Sequence, residues 1–463
     1  MSTQSTDLGK DPIGRLLLKL ATPAIIAQLV NVLYNIVDRI FIGRIQDGDL
    51  AMAGVGVAFP IIMLISATSA LIGMGGAPLA AIKMGKQDHD GAEKIISNSL
   101  STLMIISVLL MTLLLIFKEP ILLAFGASPQ TLGYANDYLT IYLLGTIFVQ
   151  IALGMNPFIN TQGFAKIGML TVLVGAIFNI VLDPIFIFGL NLGVKGAAIA
   201  TITSQFVSAI WVLKFLFGKQ SILKIQKRYL KPELNVILPI LALGVSPFIM
   251  QATESLVLIS LNNQLSRFGG DLAVSAMTII SSINQIIFLP LMGLASGAQP
   301  IISYNFGANQ FDRVKKTFKL LLTVCLVYTT VMCVSLELAP HIFVNIFNDK
   351  PELVEITSHS IRIFFAGIFI FGAQSACQQT FLALGQAKIS LVLALLRKMI
   401  LLVPLIFILP ATTASFISPL DAVFLAEPIA DIIAALTTFT CFIIFYHKTF
   451  NKPLNDLTDM VDD

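Results

Sequence analysis

The sequence predicts an all-α membrane protein of twelve transmembrane helices, in two six-helix lobes related by a pseudo-two-fold axis along the membrane normal. Composition is the first reason. Of 463 residues, 56% are apolar and 12% charged, and mean hydropathy is +0.88; the charged share is about half that of a soluble domain. The second reason is distribution. Charges fall between long apolar runs, as spanning helices require, whereas a transmembrane barrel would alternate polar and apolar residues in short segments. The third reason is duplication. Gly48-Asp49-Leu50-Ala51 recurs as Gly270-Asp271-Leu272-Ala273, Pro78 as Pro300, Gly85 as Gly307, Gly145 as Gly367, and Gly163, Ala165, Lys166 and Ile167 as Gly385, Ala387, Lys388 and Ile389, all at one offset (300 − 78 = 222). One offset held over that length marks a duplicated unit, and in an apolar chain that points to a transporter built from two halves. An even number of spans per repeat gives both halves the same orientation, hence the axis along the normal.

The first-half spans are expected at Gly14–Gly43, Leu50–Ile82, Ala92–Phe117, Leu132–Ile159, Ile167–Phe188 and Gly196–Phe217. The second half repeats them at Val236–Leu265, Leu272–Ile302, Val314–Leu338, Leu353–Leu384, Ile389–Leu409 and Pro419–Tyr446. Several exceed the roughly 20 residues a bilayer needs, so tilt or extension is expected. The lobes are then 1–217 and 236–463, the second ending in a cytoplasmic tail, joined by a basic linker at 218–235. Interior prolines such as Pro23, Pro60, Pro78, Pro184, Pro247 and Pro428 read either as ordinary kinks or as hinges, since membrane helices tolerate such breaks when neighbours satisfy the freed carbonyls.

Orientation follows from Lys and Arg. One side collects Lys83, Lys86, Lys94, Lys166, Lys388, the run from Lys214 to Lys231, the cluster Arg313 to Lys319, and Lys10, Arg15, Lys19, Lys448 and Lys452 near the termini. The other side holds only Arg39, Arg44, Lys118, Lys195, Arg267, Lys350 and Arg362. The richer side is expected to be cytoplasmic, with both termini on it. No cleavable signal is expected, because the first apolar run lacks a small-residue cleavage site. Cys325, Cys333, Cys377 and Cys441 lie in apolar runs without metal-like spacing and read as packing residues. The histidines, His89, His341, His359 and His447, sit at loops or span ends. No nucleophile–base pairing is visible, so neither an enzyme nor a nucleic-acid partner is expected.

Ionisable groups inside a bilayer are costly and functional by default, and they show best where the repeats disagree. Asp183 falls on Leu405 by the repeat offset, and Asp38 on Ser260 or Asn262 across a two-residue gap. Neither acid has a carboxylate counterpart. Asn179 precedes Asp183 by four residues, placing an amide and a carboxylate on one helix face. Asn31, Asn35 and Asp38 share another face, as do Thr201 and Gln205. At about 1.5 Å per residue, Asp183 stands roughly 24 Å above the inner end of its span, and Thr201 and Asp38 fall at similar depth. Carboxylate, amide and hydroxyl oxygens together are the ligand set of a hard cation, or of a proton carrier. The plainer alternative pairs Asp38 with Arg39.

The second half carries Glu254, Arg397, Lys398, Glu427 and Asp431. These read either as a structural ion-pair network or as a second coupling or substrate site, with Glu254 favoured because Gln251 precedes it by three residues. Tyr34, Asn156, Asn160, Gln285, Gln378 and Gln379 either line a cleft or bond helix to helix. Asn156 and Gln378 are repeat equivalents (378 − 156 = 222).

Three segments then become recognisable: Tyr34-Asn35-Ile36-Val37-Asp38-Arg39-Ile40-Phe41-Ile42-Gly43, Asn179-Ile180-Val181-Leu182-Asp183-Pro184, and Gly193-Val194-Lys195-Gly196-Ala197-Ala198-Ile199-Ala200-Thr201. With the run Ala298 to Ala308 they make the chain resemble the multidrug and toxic compound extrusion (MATE) family over essentially its whole length, in the wording of its MepA-type bacterial branch. The resemblance implies two six-helix lobes rocking between outward and inward states in a bacterial cytoplasmic membrane. It also implies export of organic cations and amphipathic drugs against inward Na⁺ or H⁺, by a monomer without a cofactor. For the cation site it implies Asp38, Asn179, Asp183 and Thr201, with a backbone carbonyl near Ala197. Tyr34, Asn31, Asn35, Asn156, Asn160, Gln205, Gln251, Glu254, Gln285 and Gln378 are the candidate substrate-cleft residues. Some relatives carry a coupling acid on the seventh span, to which Glu254 is similar; the tenth-span acid found with it is absent here, where Gln378 and Gln379 stand. The competing reading is a flippase for a lipid-linked oligosaccharide or other lipid-linked anion, which needs a cationic cleft and for which Arg397 and Lys398 are the only deep bases.

Overall fold

Helix accounts for nearly all of residues 6–348, 350–413 and 415–450, the residues described in this computed structural model. Lys452 and the end of the expected tail lie outside them. The first repeat contains α1 (Ile13–Gly43), α2 (Gly48–Gly85), α3 (His89–Ala124), α4 (Leu132–Leu144), α5 (Thr146–Thr161), α6 (Ala165–Pro184), a π-helical turn at Ile185–Gly189, and α7 (Gly193–Leu216). A linker with a 3-10 turn at Lys227–Tyr229 leads to α8 (Leu234–Ala252), α9 (Glu254–Gly307), α10 (Phe311–Leu338), α11 (Pro340–Val344), α12 (Pro351–Phe364), α13 (Ile368–Ala383) and α14 (Ala387–Leu395). A π-helical segment, Leu396–Leu402, joins α14 to α15 (Val403–Thr412), and α16 (Pro419–Phe450) follows. No strand occurs among the described residues.

Length and composition qualify nine helical stretches among the described residues to cross a membrane, or eleven when each bent pair is one span. Twelve were expected, and the difference has one source. The expected seventh and eighth spans lie in a single stretch, Leu234–Gly307, which is interrupted at Gly270, where φ is 63° and ψ −159°. The bent pairs are α4 with α5, at 59°, and α12 with α13, at 51°. They correspond to the fourth and tenth expected spans, and their bends fall at the repeat-equivalent Gly145 and Gly367. A Cβ at Gly145 would stand 2.3 Å from Ile202, and one at Gly367 2.9 Å from the Pro428 backbone, so each bend brings bare backbone against the next helix.

The duplication is visible in the backbone itself. Gln87 and Asn309 both take left-handed conformations (φ 63° and 57°), as do Gly163 and Gly385 (φ 84° and 74°). α3 and α10 begin at positions 222 apart (311 − 89), and α5 and α13 end 222 apart (383 − 161). Local chain geometry has survived divergence of the side chains.

Two compact units are present. One takes the chain to Ala252 together with Ser296–Asn309; the other takes Thr253–Ala295 and the chain from Gln310 onward. In the first unit α1 packs on α6, and α2 packs on α3, α5 and α8. A buried cluster that includes Ile42, Ile61, Tyr138, Leu143, Val194 and Ala197 fills the space between α1, α2, α4 and α7. The end of α9 joins this unit through reciprocal close contacts. A Cβ at Gly85 would lie 2.0 Å from the Tyr304 carbonyl, and one at Gly307 2.0 Å from the Ile82 carbonyl. Both residue pairs are repeat equivalents (307 − 85 = 304 − 82 = 222), so the crossing is locally two-fold symmetric. In the second unit α10 packs on α13, and α13 and α15 pack on α16. There the Thr329 hydroxyl donates to the Phe369 carbonyl at 3.0 Å, and Phe381, Phe442 and Phe445 interlock.

Candidate functional site

Asp38 reaches its place because α1 packs along α6, and only its inward face is protected. Asp38 is buried while its neighbours Ile36, Arg39 and Ile40 are exposed. Asn179 and Asp183 stand one turn apart on α6, just before Pro184 ends it and the chain enters the π-helical turn. Such turns recur at functional sites because they redirect the helix and free carbonyls. Thr201 comes from α7, which packs on α6. The Asn179 amide donates to Asp183 Oδ1 at 3.2 Å and lies 3.5 Å from Thr201 Oγ1. Asp38 and Thr201 are 9% exposed, Asn179 1% and Asp183 0%.

Three buried oxygens here lack a hydrogen-bond partner: Asp38 Oδ1, Asn179 Oδ1 and Asp183 Oδ2. Leaving a buried polar atom unsatisfied costs on the order of 1–3 kcal/mol, more for a charged group. Three acceptor oxygens left without a donor are an arrangement that a cation or a proton relieves. Among the described residues Asp38 makes no direct ion pair with Arg39, which is exposed and lies over the Phe59 ring at 5.3 Å, although the Arg39 charge still acts on Asp38. Ala197, one turn before Thr201, is fully buried. Among the described residues no three His, Cys, Asp or Glu side chains group to hold a metal ion. The ligands on offer here are two carboxylates and neutral oxygens.

Tyrosines surround the acids. Tyr34 approaches Asp38 from α1, and Tyr138 on α4 faces both Asp38 and Thr201. Tyr142, one turn on, stacks with Tyr138 at 6.2 Å. Sequence reasoning missed Tyr138 and Tyr142. Their four-residue spacing in a short apolar helix was the available signal.

Other expected residues are placed differently. Asn35 is exposed and turns its amide back to the Asn31 carbonyl at 2.7 Å, and Gln285 is exposed. Gln205 is half-buried. Asn156 and Gln378 make the same helix-to-helix bond in each repeat, Asn156 to the Gly168 carbonyl at 3.2 Å and Gln378 to the Ser390 carbonyl at 2.9 Å. Of the two readings offered for this pair, the bonds seen are those of helix-to-helix glue. Asn160 packs beside Asn156 over Gly168, where a Cβ would meet its Oδ1 at 2.1 Å. Gln251 and Glu254 do not share a helix face, contrary to expectation: α8 ends at Ala252 and α9 begins at Glu254.

The second unit holds its charges as a network. Arg397 Nε donates to Asp431 Oδ1 at 2.7 Å and Nη2 to Glu427 Oε1 at 2.9 Å. Its guanidinium lies 4.7 Å from the Phe371 ring centroid. Lys398 pairs with Glu254. Arg397 and Lys398 sit in the π-helical segment Leu396–Leu402, and all but Glu254 are buried.

Comparison with known proteins follows the same lines. The sequence model of the MatE family matches twice, over residues 23–185 and 247–408. The chain belongs to the MatE family. The two matches start 224 apart (247 − 23), which is the repeat offset plus the two-residue gap of the first spans, and the first ends just beyond Asp183. This MatE chain is 27% identical over 398 residues to a protein of Staphylococcus haemolyticus called multidrug export protein MepA, covering 86% of this chain and 87% of that one. The protein of the same name in Staphylococcus aureus is 25% identical over 402 residues, covering 87% and 88%. A crystal structure of a MATE protein in the bent conformation superposes with TM-score 0.89 at 22% identity, over 99% of this chain and 100% of that one. A MOP-superfamily transporter from Pyrococcus furiosus, described as having a binding pocket of reverse polarity, superposes with TM-score 0.86 at 23% identity, over 96% and 98%. At these identities the structural likeness shows the fold: an all-α, multi-pass membrane protein in two lobes.

Proposed function

We propose that this chain is a secondary active exporter of cationic and amphipathic drugs, exchanging them for Na⁺ or H⁺ by alternating access. The observation that carries the reading is the buried quartet Asp38, Asn179, Asp183 and Thr201, whose acceptor oxygens face one another without a base among them. A cationic drug and a coupling ion compete for the same negative lobe, which gives exchange without both being bound. A ligand shifts a conformational equilibrium only by its differential affinity for the two states. Here the binding of a cation removes the repulsion between two acids on different helices, α1 and α6, and so favours the state that brings them together. The export function named for the staphylococcal relatives supports the drug class. The Lys and Arg distribution supports a cytoplasmic position for both termini, and a monomer is the oligomeric state expected, since one chain carries both repeats. The flippase reading loses its cationic cleft, since carboxylates engage both Arg397 and Lys398.

The test is ethidium efflux from proteoliposomes with a Na⁺ gradient or a pH gradient imposed alone. Drive by Na⁺ at fixed pH makes the quartet a metal-ion site. Drive by pH alone makes the two aspartates the proton carriers. Efflux indifferent to both gradients overturns the exchanger reading.

A further inference from the structure

The linker between the repeats is strapped down rather than loose. Gln162 Oε1 accepts the Leu223 N–H at 2.8 Å. On α3, Glu93 accepts the Lys224 N–H at 3.0 Å and the Gln226 side-chain amide at 2.9 Å. Ser97 accepts the Gln226 N–H at 2.9 Å. Asn98 donates to the Tyr229 carbonyl at 3.0 Å and accepts the Glu233 N–H at 2.7 Å. A segment that reads as a basic tether is thus an ordered strap whose backbone groups are satisfied by side chains of α3 and by Gln162 at the end of α5.

The ladder also sorts charge. The acids under the strap are engaged: Asp90 by Arg228 at 2.6 Å, Glu233 by Lys94 at 2.7 Å, Asp88 by Lys83 at 3.0 Å, and Glu93 by the bonds above. Lys219, Lys227 and Lys231 are exposed, and none of them has an ion-pair partner among the described residues. Interleaved with them are large exposed apolar side chains, Phe217 at 47%, Ile222 at 42% and Leu234 at 73%. The strap leaves α7 and enters α8, both part of membrane-spanning stretches, so it lies where apolar chain meets water. Fixed lysines alternating with apolar side chains at that boundary match a surface of phosphates over acyl chains.

We propose that this strap is a docking surface for anionic phospholipid headgroups, with Lys219, Lys227 and Lys231 reaching the phosphates while Phe217 and Leu234 enter the apolar boundary. The proposal is independent of the coupling ion. A juxtamembrane lysine contributes about fivefold in affinity near an anionic surface, so three together contribute on the order of a hundredfold at low salt.

The experiment titrates the full-length protein in detergent with fluorescent phosphatidylglycerol, and with phosphatidylcholine as the neutral comparison. Parent protein is expected to prefer phosphatidylglycerol, with the preference falling as salt rises. The triple variant Lys219→Gln, Lys227→Gln, Lys231→Gln should lose that preference, and the triple Arg variant should keep it. Gel filtration confirms that each variant is folded. Equal binding of the two lipids by the parent, unchanged preference in the Gln variant, or a preference for a soluble polyanion such as RNA over the lipid would each overturn the proposal.

Discussion

Replacing Arg397 by methionine strands two buried carboxylates. Arg397 bonds Asp431 at 2.7 Å and Glu427 at 2.9 Å, and all three residues are less than 10% exposed. Removing one partner from a buried ion pair costs about 3–5 kcal/mol, because the remaining charge keeps its desolvation penalty and loses its compensation. The stacking on Phe371 adds roughly 0.5–2 kcal/mol to the loss. Lys398 is nearby but is committed to Glu254. At about 2 °C per kcal/mol for a large domain, melting of the purified protein in detergent should fall by roughly 7–14 °C. The informative partner is the triple variant Arg397→Met, Glu427→Gln, Asp431→Asn. Replacing a whole buried network with neutral groups is often close to neutral, so this variant should recover more than half of the lost stability. A triple variant as labile as the single one, or a single variant within about a degree of the parent, would refute the reasoning. Ethidium efflux then separates the two roles the sequence left open: a stable triple variant that still exports assigns the network to structure, and a stable one that does not assigns it to coupling.

Asp183→Asn keeps the shape of the first-half site and removes one of its two charges; coupled efflux should be abolished at normal expression and normal melting temperature, and full efflux would sink the coupling role. Gly307→Ala places a Cβ 2.0 Å from the Ile82 carbonyl, and overpacking of that kind costs about 1–3 kcal/mol; thermal melting should fall, with Gly85→Ala, its repeat equivalent, falling by a similar amount. Asp88 caps α3 through the Gly91 N–H at 2.8 Å, and that bond, followed by Lys83, holds its carboxyl below the usual value of 3.8. A depressed carboxyl contributes stability above its unfolded pKa and loses it as pH falls through the folded one, so the melting difference between the parent and Asp88→Ala should be present at pH 7 and shrink below about pH 4.

What the sequence revealed depended on which forces act locally. Span positions were legible because apolar run length is a property of the chain alone, and the repeat offset carried over into paired left-handed residues at Gln87 and Asn309 and at Gly163 and Gly385. The quartet of Asp38, Asn179, Asp183 and Thr201 was legible because a carboxylate in an apolar run needs a reason, and depth along a helix is simple arithmetic. The break at Thr253 was not, because nothing in Gln251-Ala252-Thr253-Glu254 disfavours helix and the turn depends on packing. The linker was read as a basic tether because its lysines are visible in sequence, while the α3 side chains that hold it are more than a hundred residues away. Tyr138 and Tyr142 went unnoticed for a related reason. Only packing of α4 on α2 and α7 brings Tyr138 to Asp38, with Tyr142 stacked on it.

The duplicated halves have diverged in complementary ways. Arg397, the centre of the second-half network, stands where the first repeat has a neutral residue, Gly175 (397 − 175 = 222). Asp183 conversely stands opposite Leu405 (405 − 183 = 222). The same backbone plan thus holds acids with fixed counter-charges in one half and acids without them in the other. An acid already paired with a guanidinium gains little from an arriving cation, because its charge is compensated in every state that keeps the pair. An acid with no guanidinium bonded to it gains more from that cation, and a group of this kind gives a cation differential affinity for two conformations. If the chain exchanges drug for a cation as proposed, the responsive element is then expected in the first half, where removing the charge of Asp38 or Asp183 should abolish the response to an imposed gradient.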